Sequence, residues 1–541
     1  MIDYGGSGRG NAVMNVYDYL LAGKSKDTTA LLTLSGRYSF SDLDNAAQRV
    51  ACLLVRSGSN KGDRAILLAN SGFFWVASYL GIMRAGLICV PLPPTIPLCE
   101  LDYVMSTTEP LCAFVESQAI AKLGGNLRST TLITDLQLAL SERIGYTKIS
   151  SFQTMEADEV SDLPCSGGDD IAALMFTSGS TGKPRGVMIS HRNIIANTES
   201  IIQYLTLTSN DRVMAVLPFD YCFGASLLHT HLRVGGSIVV DSRFMYPQAI
   251  LKRMLETECT GFAGVPSHFQ ILLRRSSFGS MSLPHLRYVQ QAGGQLAPTF
   301  ISELRKALPG TKIFIMYGQT EATARLSYLP PEFLESKLGS VGKGIPGVRL
   351  QVLNDLGQPV TPGESGEIVA EGDNVAMGYW KDESETALSF RNGRLYTGDL
   401  ATVDSDGFIY ILDRAKDFLK CGGKRVSCRF IENALLEHPS LMEVAVVGVP
   451  DEILGEAAVA FAVPQSFMAP PTYEEMRAHC KYRLPTPFIP KQFVLVKALP
   501  KNSRGKVLKS ELKSNPPQPL VLDTKSTPPQ NRSHLTIGCS D

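Results

Sequence analysis

The stretch Leu174-Met-Phe-Thr-Ser-Gly-Ser-Thr-Gly-Lys-Pro-Arg-Gly-Val-Met188 decides the fold of this chain. An apolar run that suits a buried strand leads into a loop of small and hydroxylated residues, which carries one lysine, Lys183. Glycines let backbone N–H groups approach an anion closely, and hydroxyl groups supply further donors. The segment therefore predicts a phosphate-binding loop between a strand and an amphipathic helix. Its predicted phosphate ligands are Thr177, Ser178, Gly179, Ser180, Thr181, Gly182 and Lys183.

Two alternative interpretations of this loop do not fit. The P-loop motif needs Gly at its first position and Ser or Thr after its lysine, but Thr177 and Pro184 stand there. A generic Gly/Ser linker is disfavoured, because linkers seldom join an apolar strand to an amphipathic helix. The loop is therefore expected to bind phosphate without the P-loop's magnesium ligand, which must come from elsewhere in the chain.

Short apolar runs alternate with longer helical patterns on both sides of the loop, from about residue 38 to residue 350. This alternation favours an α/β fold with largely parallel sheets flanked by helices. The runs that predict its strands include Arg64–Leu68, Leu87–Pro91, Val213–Leu217, Ser237–Val240 and Lys312–Met316. Beyond residue 348, Asn/Asp/Gly turns separate runs that predict antiparallel strands, namely Arg349–Leu353, Gly366–Glu371 and Phe408–Leu412.

A smaller α+β unit is expected to begin after Asp413. Val444–Val449 and Ala457–Val463 predict strands, and Thr472-Tyr-Glu-Glu475 is a capping box that opens a helix to about Tyr482. The segment from residue 515 is rich in Pro, Ser and Thr and has no apolar periodicity, which predicts a flexible tail. The expected organisation is a large N-terminal domain at 1–413, a small C-terminal domain at 414–513 and a tail at 514–541.

Composition narrows the class of protein. The 52 basic and 52 acidic residues balance, which argues against a broad electrostatic surface for nucleic acid or anionic membrane. The start of the chain lacks the pattern of a signal peptide, and the apolar stretch Phe73–Leu92 contains Arg84, so it predicts a buried helix running into a strand rather than a membrane span. The 11 scattered cysteines form no Cys-x-x-Cys pair, which predicts reduced thiols in a cytoplasmic enzyme.

The motifs together resemble one known family. Thr-Ser-Gly-Ser-Thr-Gly-Lys-Pro-Arg-Gly resembles the signature of the acyl-adenylate-forming superfamily: acyl-CoA synthetases, amino-acid adenylation domains and firefly-type luciferases. Further family motifs follow in order: Gly293-Gly294-Gln295, Tyr317-Gly-Gln-Thr-Glu321, Tyr396-Thr-Gly-Asp399, Asp413-Arg-Ala-Lys416 and Pro500-Lys-Asn-Ser-Arg-Gly-Lys506. The resemblance covers about residues 38–512. It implies a large domain with a small β-barrel-like part and a small domain on a hinge. It also implies ATP and Mg²⁺ as requirements, with CoA favoured as the acceptor of the acyl group.

The resemblance assigns roles around the nucleotide. It implies that Tyr317 stacks on adenine, that Thr320 contacts phosphate and that Glu321 holds the Mg²⁺ bridging ATP oxygens, a role suited to a hard carboxylate ligand. It further implies that Asp399 binds the ribose hydroxyls and that Arg414 reaches ribose or α-phosphate oxygens. The remaining nucleotide-binding positions implied by the motifs are Gly293, Gly294, Gln295 and Gly318.

The small domain is implied to serve both half-reactions. Lys506 is the predicted catalytic cation of adenylation, bridging the carboxylate and the α-phosphate as charge builds between them. Lys416 lies at the implied hinge, about which the small domain rotates to bring the thiol-tunnel residues Lys420, Gly422 and Gly423 to the acceptor. The family commonly has Pro-x-Glu-Ile-Glu just beyond, whereas this chain has Cys428-Arg-Phe-Ile-Glu432, which puts the docking of the acceptor in question.

The acyl pocket is predicted at Leu217-Pro-Phe-Asp-Tyr-Cys-Phe-Gly224, where Tyr221 replaces a common His. Amino-acid-adenylating relatives place an Asp at about the position of Cys222. Asp220 is two residues away and is expected to point elsewhere, so a fatty or aryl acid is favoured. A shifted alignment would restore Asp220 as an amine ligand.

Three functions remain open from the sequence. An acid–thiol ligase that uses CoA is favoured, because there is no carrier-protein segment after Leu512 and no obvious insertion like that of fatty acyl–AMP ligases. The second is a stand-alone enzyme that loads an amino acid or fatty acid onto a separate carrier protein. The third is a silent nucleotide-binding relative, which retention of Lys183, Glu321, Asp399, Arg414 and Lys506 disfavours.

Overall fold

A computed structural model describes residues 15–123, 131–135, 149–151, 163–178, 184–414, 418–421, 424–451, 454–501 and 507–520. The helices are α1 Val16–Leu21, α2 Phe40–Arg56, α3 Phe73–Arg84, α4 Leu98–Thr108, α5 Ser117–Leu123, α6 His191–Leu205, α7 Cys222–Val234, α8 Pro247–Glu256, α9 Pro266–Arg275, α10 Pro298–Ala307, α11 Glu383–Ser389, α12 Cys428–Leu436, α13 Tyr473–Arg483 and α14 Lys509–Ser514.

The strands of the large domain's two main sheets are β1 Thr29–Leu32, β2 Arg37–Ser39, β3 Arg64–Leu68, β4 Ile88–Leu92, β5 Cys112–Val115, β6 Thr131–Thr134, β7 Ile149–Ser151, β8 Ile171–Ser178, β9 Pro184–Ser190, β10 Arg212–Ala215, β11 Ser237–Val240, β12 Gly261–Gly264, β13 Tyr288–Gln291, β14 Lys312–Tyr317, β15 Ser327–Leu329 and β16 Lys343–Gly344. The remaining strands are β17 Arg349–Leu353, β18 Ser365–Glu371, β19 Phe390–Arg391, β20 Arg394–Val403, β21 Ile409–Arg414, β22 Phe418–Cys421, β23 Lys424–Ser427, β24 Leu441–Asp451, β25 Gly455–Pro464 and β26 Gln492–Leu495.

Two largely parallel sheets form the body of the large domain. One has the order β16-β15-β14-β13-β12-β10-β11-β1-β2, with antiparallel pairing only at its edges, and the other has the order β7-β6-β5-β3-β4-β8-β9, in which β9 is antiparallel to β8. The largest buried cluster joins residues of both sheets to residues of α3, α6 and α7, so these helices lie between the sheets. The predicted α/β fold is confirmed.

The apolar stretch Phe73–Leu92 is buried inside the large domain, as its composition predicts. It folds as α3, buried on nearly every side, and then as the fully buried β4, because a helix that is apolar all round must be enclosed by protein or membrane. Within the described residues, no helix is both long and apolar enough to span a bilayer. A Cβ added at Gly81 would lie 2.7 Å from the carbonyl oxygen of Ala47, so glycine permits the close packing of α2 on α3.

Two antiparallel sheets follow. The first contains β17, β18, β20, β19 and β21, as the turn pattern predicts. The second, in the small unit, has the order β23-β22-β25-β24, with β26 parallel to β25. Helices α12 and α14 pack against β24, and α13 packs against α12. The predicted capping box is present, because the Thr472 hydroxyl accepts from the Glu475 N–H at 3.2 Å and the Glu475 carboxylate accepts from the Thr472 N–H at 2.8 Å. Most of the expected flexible tail, from residue 521, lies outside the described residues.

Candidate functional site

An open cleft lies at the carboxyl ends of β13 and β14, the edge of a parallel sheet where α/β proteins bind ligands. Its volume is about 790 Å³, with solvent at its mouth included. The predicted nucleotide-binding residues that line it are Gly293, Gly294, Gln295, Tyr317, Gly318 and Asp399. The Gln291 amide donates to the Gly294 carbonyl at 2.8 Å, which holds the first of these motifs in place. The structure thus brings three separated motifs to one cleft.

Gly318 packs too closely to accept a side chain. A Cβ there would lie 2.1 Å from the carbonyl oxygen of Ala324 and 2.7 Å from the Cα atom of Arg325. Both are backbone atoms, so any added group must displace the segment that carries Tyr317 and Glu321.

Gly318→Ala is therefore expected to lower the free energy of unfolding by about 1–3 kcal/mol, as overpacking does, and to weaken nucleotide binding. Thermal denaturation with and without ATP measures both effects. Gly310→Ala is the matched control, because nothing lies within 4 Å of the added Cβ, and its effect should stay within about 0.5 kcal/mol. Equal stability of the two variants would contradict this account of Gly318.

Tyr317 and Asp399, predicted for adenine and ribose, lie side by side. The Tyr317 hydroxyl donates to a carboxylate oxygen of Asp399 at 2.6 Å, and the Asp399 N–H donates to the Thr397 hydroxyl at 3.2 Å. Asp399 is buried, and its strand partner in the register of β20 and β21 is Arg414. The backbone of Arg414 therefore runs beside the cleft, while its side chain is outside the described part of the chain.

Glu321 has a partner that the sequence did not predict. The Tyr379 hydroxyl donates to Glu321 Oε1 at 2.9 Å. Burial, reinforced by the Glu321 carboxylate, raises the pKa of Tyr379 well above its usual range, so this phenol keeps its proton and can donate. The Arg185 guanidinium lies 5.6 Å from the centre of the Tyr379 ring. The hydrogen bond from Tyr379 thus holds one oxygen of Glu321 and orients the carboxylate.

Tyr379 also connects Glu321 to β9, the strand that follows the predicted phosphate loop. Met188 donates its N–H to the Gly378 carbonyl at 2.9 Å, and Trp380 donates to the Gly186 carbonyl at 2.8 Å. Val187 and Tyr379 form an antiparallel bridge. The strand that leaves the loop, β9, therefore runs beside the residue that orients Glu321.

Thr320 connects the cleft to a second, buried cavity. Its hydroxyl donates to the Cys222 sulfur at 3.5 Å, and Cys222 lines a cavity between α3, α6 and α7. The empty space of this cavity is about 340 Å³, with solvent at its mouth included. Tyr221 also lies close, because a Cβ added at Gly293 would be 3.1 Å from the Tyr221 hydroxyl. Asp220 is buried but is not among the cavity's lining residues.

The cavity wall is mixed in character. Two of its lining residues are joined by a hydrogen bond of 2.9 Å between the Tyr79 hydroxyl and His229 Nε2. Desolvation lowers the pKa of His229 to about 3, so the imidazole is neutral near pH 7. The lining residues are Tyr79, Ala173, Met175, Ile189, Ile194, Asn197, Thr198, Cys222, Ala225, Ser226, His229, Thr323 and Ala324.

Several predicted positions are not tested by the structure. Lys420 lies on β22 with its side chain exposed, and its N–H donates to Glu456 at 2.7 Å, while it is not among the residues that line the cleft. The predicted residues outside the described part of the chain are Gly179, Ser180, Thr181, Gly182, Lys183, Lys416, Gly422, Gly423 and Lys506. Thr177 and Ser178 end β8, where the loop begins, and the side chain of Ser178 is likewise outside it.

Three residues at or beside the site were missed. Tyr379 belongs to a Gly-Tyr-Trp sequence, whose paired aromatics after glycine were the available signal. Arg429, on the first turn of α12, lines the nucleotide cleft from the small unit and lies in the segment that departs from the family pattern. Arg325 is buried and charged, which only the three-dimensional structure reveals.

The donor set fits a magnesium ion bound through nucleotide phosphates. Among the described residues, no group of three or more His, Cys, Asp or Glu side chains could hold a metal by itself. Mg²⁺ commonly binds one or two carboxylates together with substrate phosphates. Glu321, held on one oxygen by Tyr379, offers such a carboxylate next to the cleft.

Comparison with protein families gives two matches along the chain. The model of the AMP-binding enzyme family matches residues 21–380, and that of the AMP-binding enzyme C-terminal domain matches residues 431–506. The chain is 28% identical to the long-chain-fatty-acid–CoA ligase of Bacillus subtilis (strain 168), covering 91% of this chain and 92% of that one. It is 30% identical to a feruloyl-CoA synthase of Amycolatopsis sp, covering 88% and 93%.

Solved structures of similar fold include CoA ligases. The anthranilate CoA ligase AuaEII in complex with anthranoyl-AMP superimposes with a TM-score of 0.85 at 25% identity, covering 94% of this chain and 98% of that one. The o-succinylbenzoate CoA synthetase of Bacillus subtilis in complex with its acyl-adenylate intermediate gives a TM-score of 0.79 at 27% identity, covering 92% and 98%. Both similarities extend over the large and the small unit.

Proposed function

Because the chain belongs to the AMP-binding enzyme family, we propose that it activates a fatty or aryl carboxylic acid with ATP and transfers the acyl group to CoA. The carboxylate attacks the α-phosphate to form acyl-AMP and pyrophosphate, and the thiol of CoA then displaces AMP. One observation carries the proposal. Thr320 lies beside Gln319 of the nucleotide cleft and donates to Cys222 of the buried cavity, so the two compartments meet where an acid and a nucleotide must react.

The large domain binds and orients the nucleotide. The loop from Thr177 to Lys183 surrounds the phosphates with N–H and hydroxyl donors and one positive charge. Tyr317 stacks on the adenine, and Asp399 accepts hydrogen bonds from the ribose hydroxyls. In the structure, one oxygen of the Asp399 carboxylate accepts from the Tyr317 hydroxyl instead. Glu321 holds the magnesium ion, which neutralises charge on the phosphate oxygens when bound.

The small domain presents different residues to the nucleotide in the two half-reactions. We place the domain boundary after Asp413 and the hinge at Lys416. Lys506 bridges the attacking carboxylate and the α-phosphate during adenylation, and rotation then replaces it with the tunnel formed by Lys420, Gly422 and Gly423. The contacts of Asp413 with α12 support a junction here, since its carboxylate accepts from the Ser427 hydroxyl at 2.9 Å and the Arg429 N–H at 3.3 Å.

The relatives' activities support the choice of acceptor. The curated relatives named above are a long-chain-fatty-acid–CoA ligase and a feruloyl-CoA synthase, which supports CoA for this chain. A cytoplasmic location is part of the proposal, and the ten free cysteines of the described residues support a reducing compartment.

Carboxylate-dependent exchange of pyrophosphate into ATP tests the proposal over panels of fatty, aryl and amino acids. Exchange with fatty or aryl acids, followed by thioester formation with CoA, is the expected result. Thioester formed only on a phosphopantetheinylated carrier protein would overturn the choice of acceptor, and exchange with amino acids alone would overturn the choice of acid. No exchange with any acid would contradict the proposed activity itself.

A further inference from the structure

Arg325 is a buried cation that no carboxylate of the described residues pairs with. Only 1% of its surface is exposed, and within the same part of the chain its Nε and Nη2 atoms have no hydrogen-bond partner. Its Nη1 makes one long contact, 3.4 Å, to the Ala324 carbonyl, and its guanidinium stacks 4.0 Å from the centre of the Phe223 ring. Because arginine keeps its charge in proteins, burying it unpaired is strongly unfavourable. The site is therefore suited to an anion that the described residues do not supply.

The two unpartnered atoms form one edge of the guanidinium, which is the edge that binds carboxylates elsewhere in this chain. Arg192 holds Asp169 through Nε and Nη2 at 2.8 and 3.0 Å. The Arg243–Asp241 pair uses the same two atoms at 2.9 and 2.6 Å, and the Arg287–Asp211 pair uses them at 3.1 and 2.9 Å. A fork of two parallel N–H groups matches the two oxygens of a carboxylate.

Arg325 lies beside the second cavity, the one that Cys222 lines. It directly follows Thr323 and Ala324, which line the cavity, and it stacks on Phe223, which directly follows another lining residue, Cys222. Its backbone is fixed, because Asn374 and the cavity residue Asn197 donate to its carbonyl at 2.8 and 3.2 Å. The cation is thus held at one place, a few residues from Glu321.

The neighbouring groups do not neutralise Arg325. Burial raises the pKa of Tyr204 to about 12, although the charge of Arg325 and a side-chain hydrogen bond with it act in the opposite direction. This phenol is therefore a neutral neighbour of Arg325 near pH 7 and supplies no counter-charge. Gln290 is also buried, and in the register of β13 and β14 it lies opposite Phe314, which belongs to the same apolar cluster as Tyr204. Both atoms of the Gln290 amide lack a partner. Two unpartnered polar side chains in one apolar layer indicate recognition of a polar group.

We propose that Arg325 binds a second carboxylate of the acid substrate, so that the preferred substrate is a compact dicarboxylic acid. This inference rests on the proposed function and narrows its substrate class. One carboxylate meets ATP near Thr320, and the second occupies the Nε–Nη2 fork of Arg325, with the Gln290 amide as a further donor. The cavity is small, because its empty space is only about 340 Å³ even with the solvent at its mouth included, and this limits the acid to a short scaffold.

Matched acid pairs test the proposal on the full-length enzyme by pyrophosphate exchange. Each dicarboxylic acid is compared with the acid in which a methyl group replaces the second carboxyl, such as terephthalic with 4-methylbenzoic acid, and adipic acid with its monoacid counterpart. The wild-type enzyme is expected to prefer the diacid by about tenfold or more in kcat/KM, the scale of a hydrogen-bonded charge pair. Equal or better use of the methyl counterpart across the pairs would overturn the proposal.

Variants locate the preference at Arg325. Arg325→Met replaces the fork with an apolar side chain of similar length and is expected to reverse the preference towards the methyl counterpart. Arg325→Lys keeps the charge without the fork and should retain part of the preference. Arg192→Met removes the same fork from a surface pair and should leave the preference unchanged. If Arg325→Met lowered exchange with both acids by one factor, the proposal would be wrong.

The outcomes separate the two proposals. Exchange with monocarboxylic acids only would reject the role of Arg325 and leave the proposed activity intact. No exchange with any acid would reject the proposed activity. Should the methionine variant fail to fold, the preference of the wild-type enzyme and that of Arg325→Lys still decide the question.

Discussion

Replacing Lys506 by alanine is expected to slow acyl-AMP formation by about a hundredfold or more, the scale seen when one group that stabilises transition-state charge is removed. The carboxylate and the α-phosphate are both anionic, so a positioned cation is needed where they meet. Thioester formation from supplied acyl-AMP should stay within a few-fold of wild type, because the thiol attacks an uncharged acyl carbonyl rather than an anionic phosphate. Pyrophosphate exchange measures the first step, and CoA-dependent consumption of acyl-AMP measures the second.

Lys501→Ala is the matched control for Lys506. Lys501 belongs to the same motif, but its ammonium is paired with Glu443 at 2.7 Å and it bridges Val507 through the backbone. Removing its charge is expected to leave both half-reactions close to wild type. An equal loss of both half-reactions in Lys506→Ala would contradict the role assigned to Lys506.

Glu321→Gln is expected to lower adenylation by about a hundredfold and to raise the magnesium concentration needed for half-maximal rate, since a metal site supplies several kcal/mol of charge stabilisation. Glutamine preserves the size of the side chain and an acceptor for the Tyr379 hydroxyl, so the change isolates the negative charge. The measurement is the rate of pyrophosphate exchange as a function of magnesium concentration.

Tyr379→Phe separates charge from orientation. It keeps the Glu321 carboxylate and removes the hydrogen bond of 2.9 Å to Oε1, so its loss should stay within about tenfold, as for a single hydrogen bond. An unchanged magnesium dependence in Glu321→Gln would show that Glu321 is not the metal ligand.

The strands could be predicted from sequence where apolar runs end sharply. Arg64–Leu68, Ser237–Val240 and Arg349–Leu353 have the predicted bounds, because a polar residue or a glycine lies within two positions of each end. The strand predicted at Leu87–Pro91 is instead β4 Ile88–Leu92. The apolar run continues through Leu92, so the sequence does not define where the strand ends. Predicted Val444–Val449 extends to Leu441–Asp451, because pairing with β25 continues beyond the apolar run.

The site was predicted only in part, for a physical reason. Motifs locate residues that contact a common ligand, so Tyr317 and Asp399 were expected to lie close together. The Tyr317 hydroxyl is 2.6 Å from a carboxylate oxygen of Asp399. Residues that act on other residues leave no such pattern. Tyr379 reaches Glu321 across 58 positions of sequence, and the unpaired fork of Arg325 becomes evident only when all its neighbours are known.

Transfer of oxygen from the acid to AMP tests the central claim most directly. An acid whose two carboxylate oxygens are ¹⁸O is incubated with the enzyme, ATP, Mg²⁺ and CoA, and the nucleotide products are examined by mass spectrometry. Attack of the carboxylate on the α-phosphate followed by thiolysis of the acyl–oxygen bond predicts AMP that carries one ¹⁸O atom. Unlabelled AMP, or ADP with the label in orthophosphate, would contradict activation through acyl-AMP.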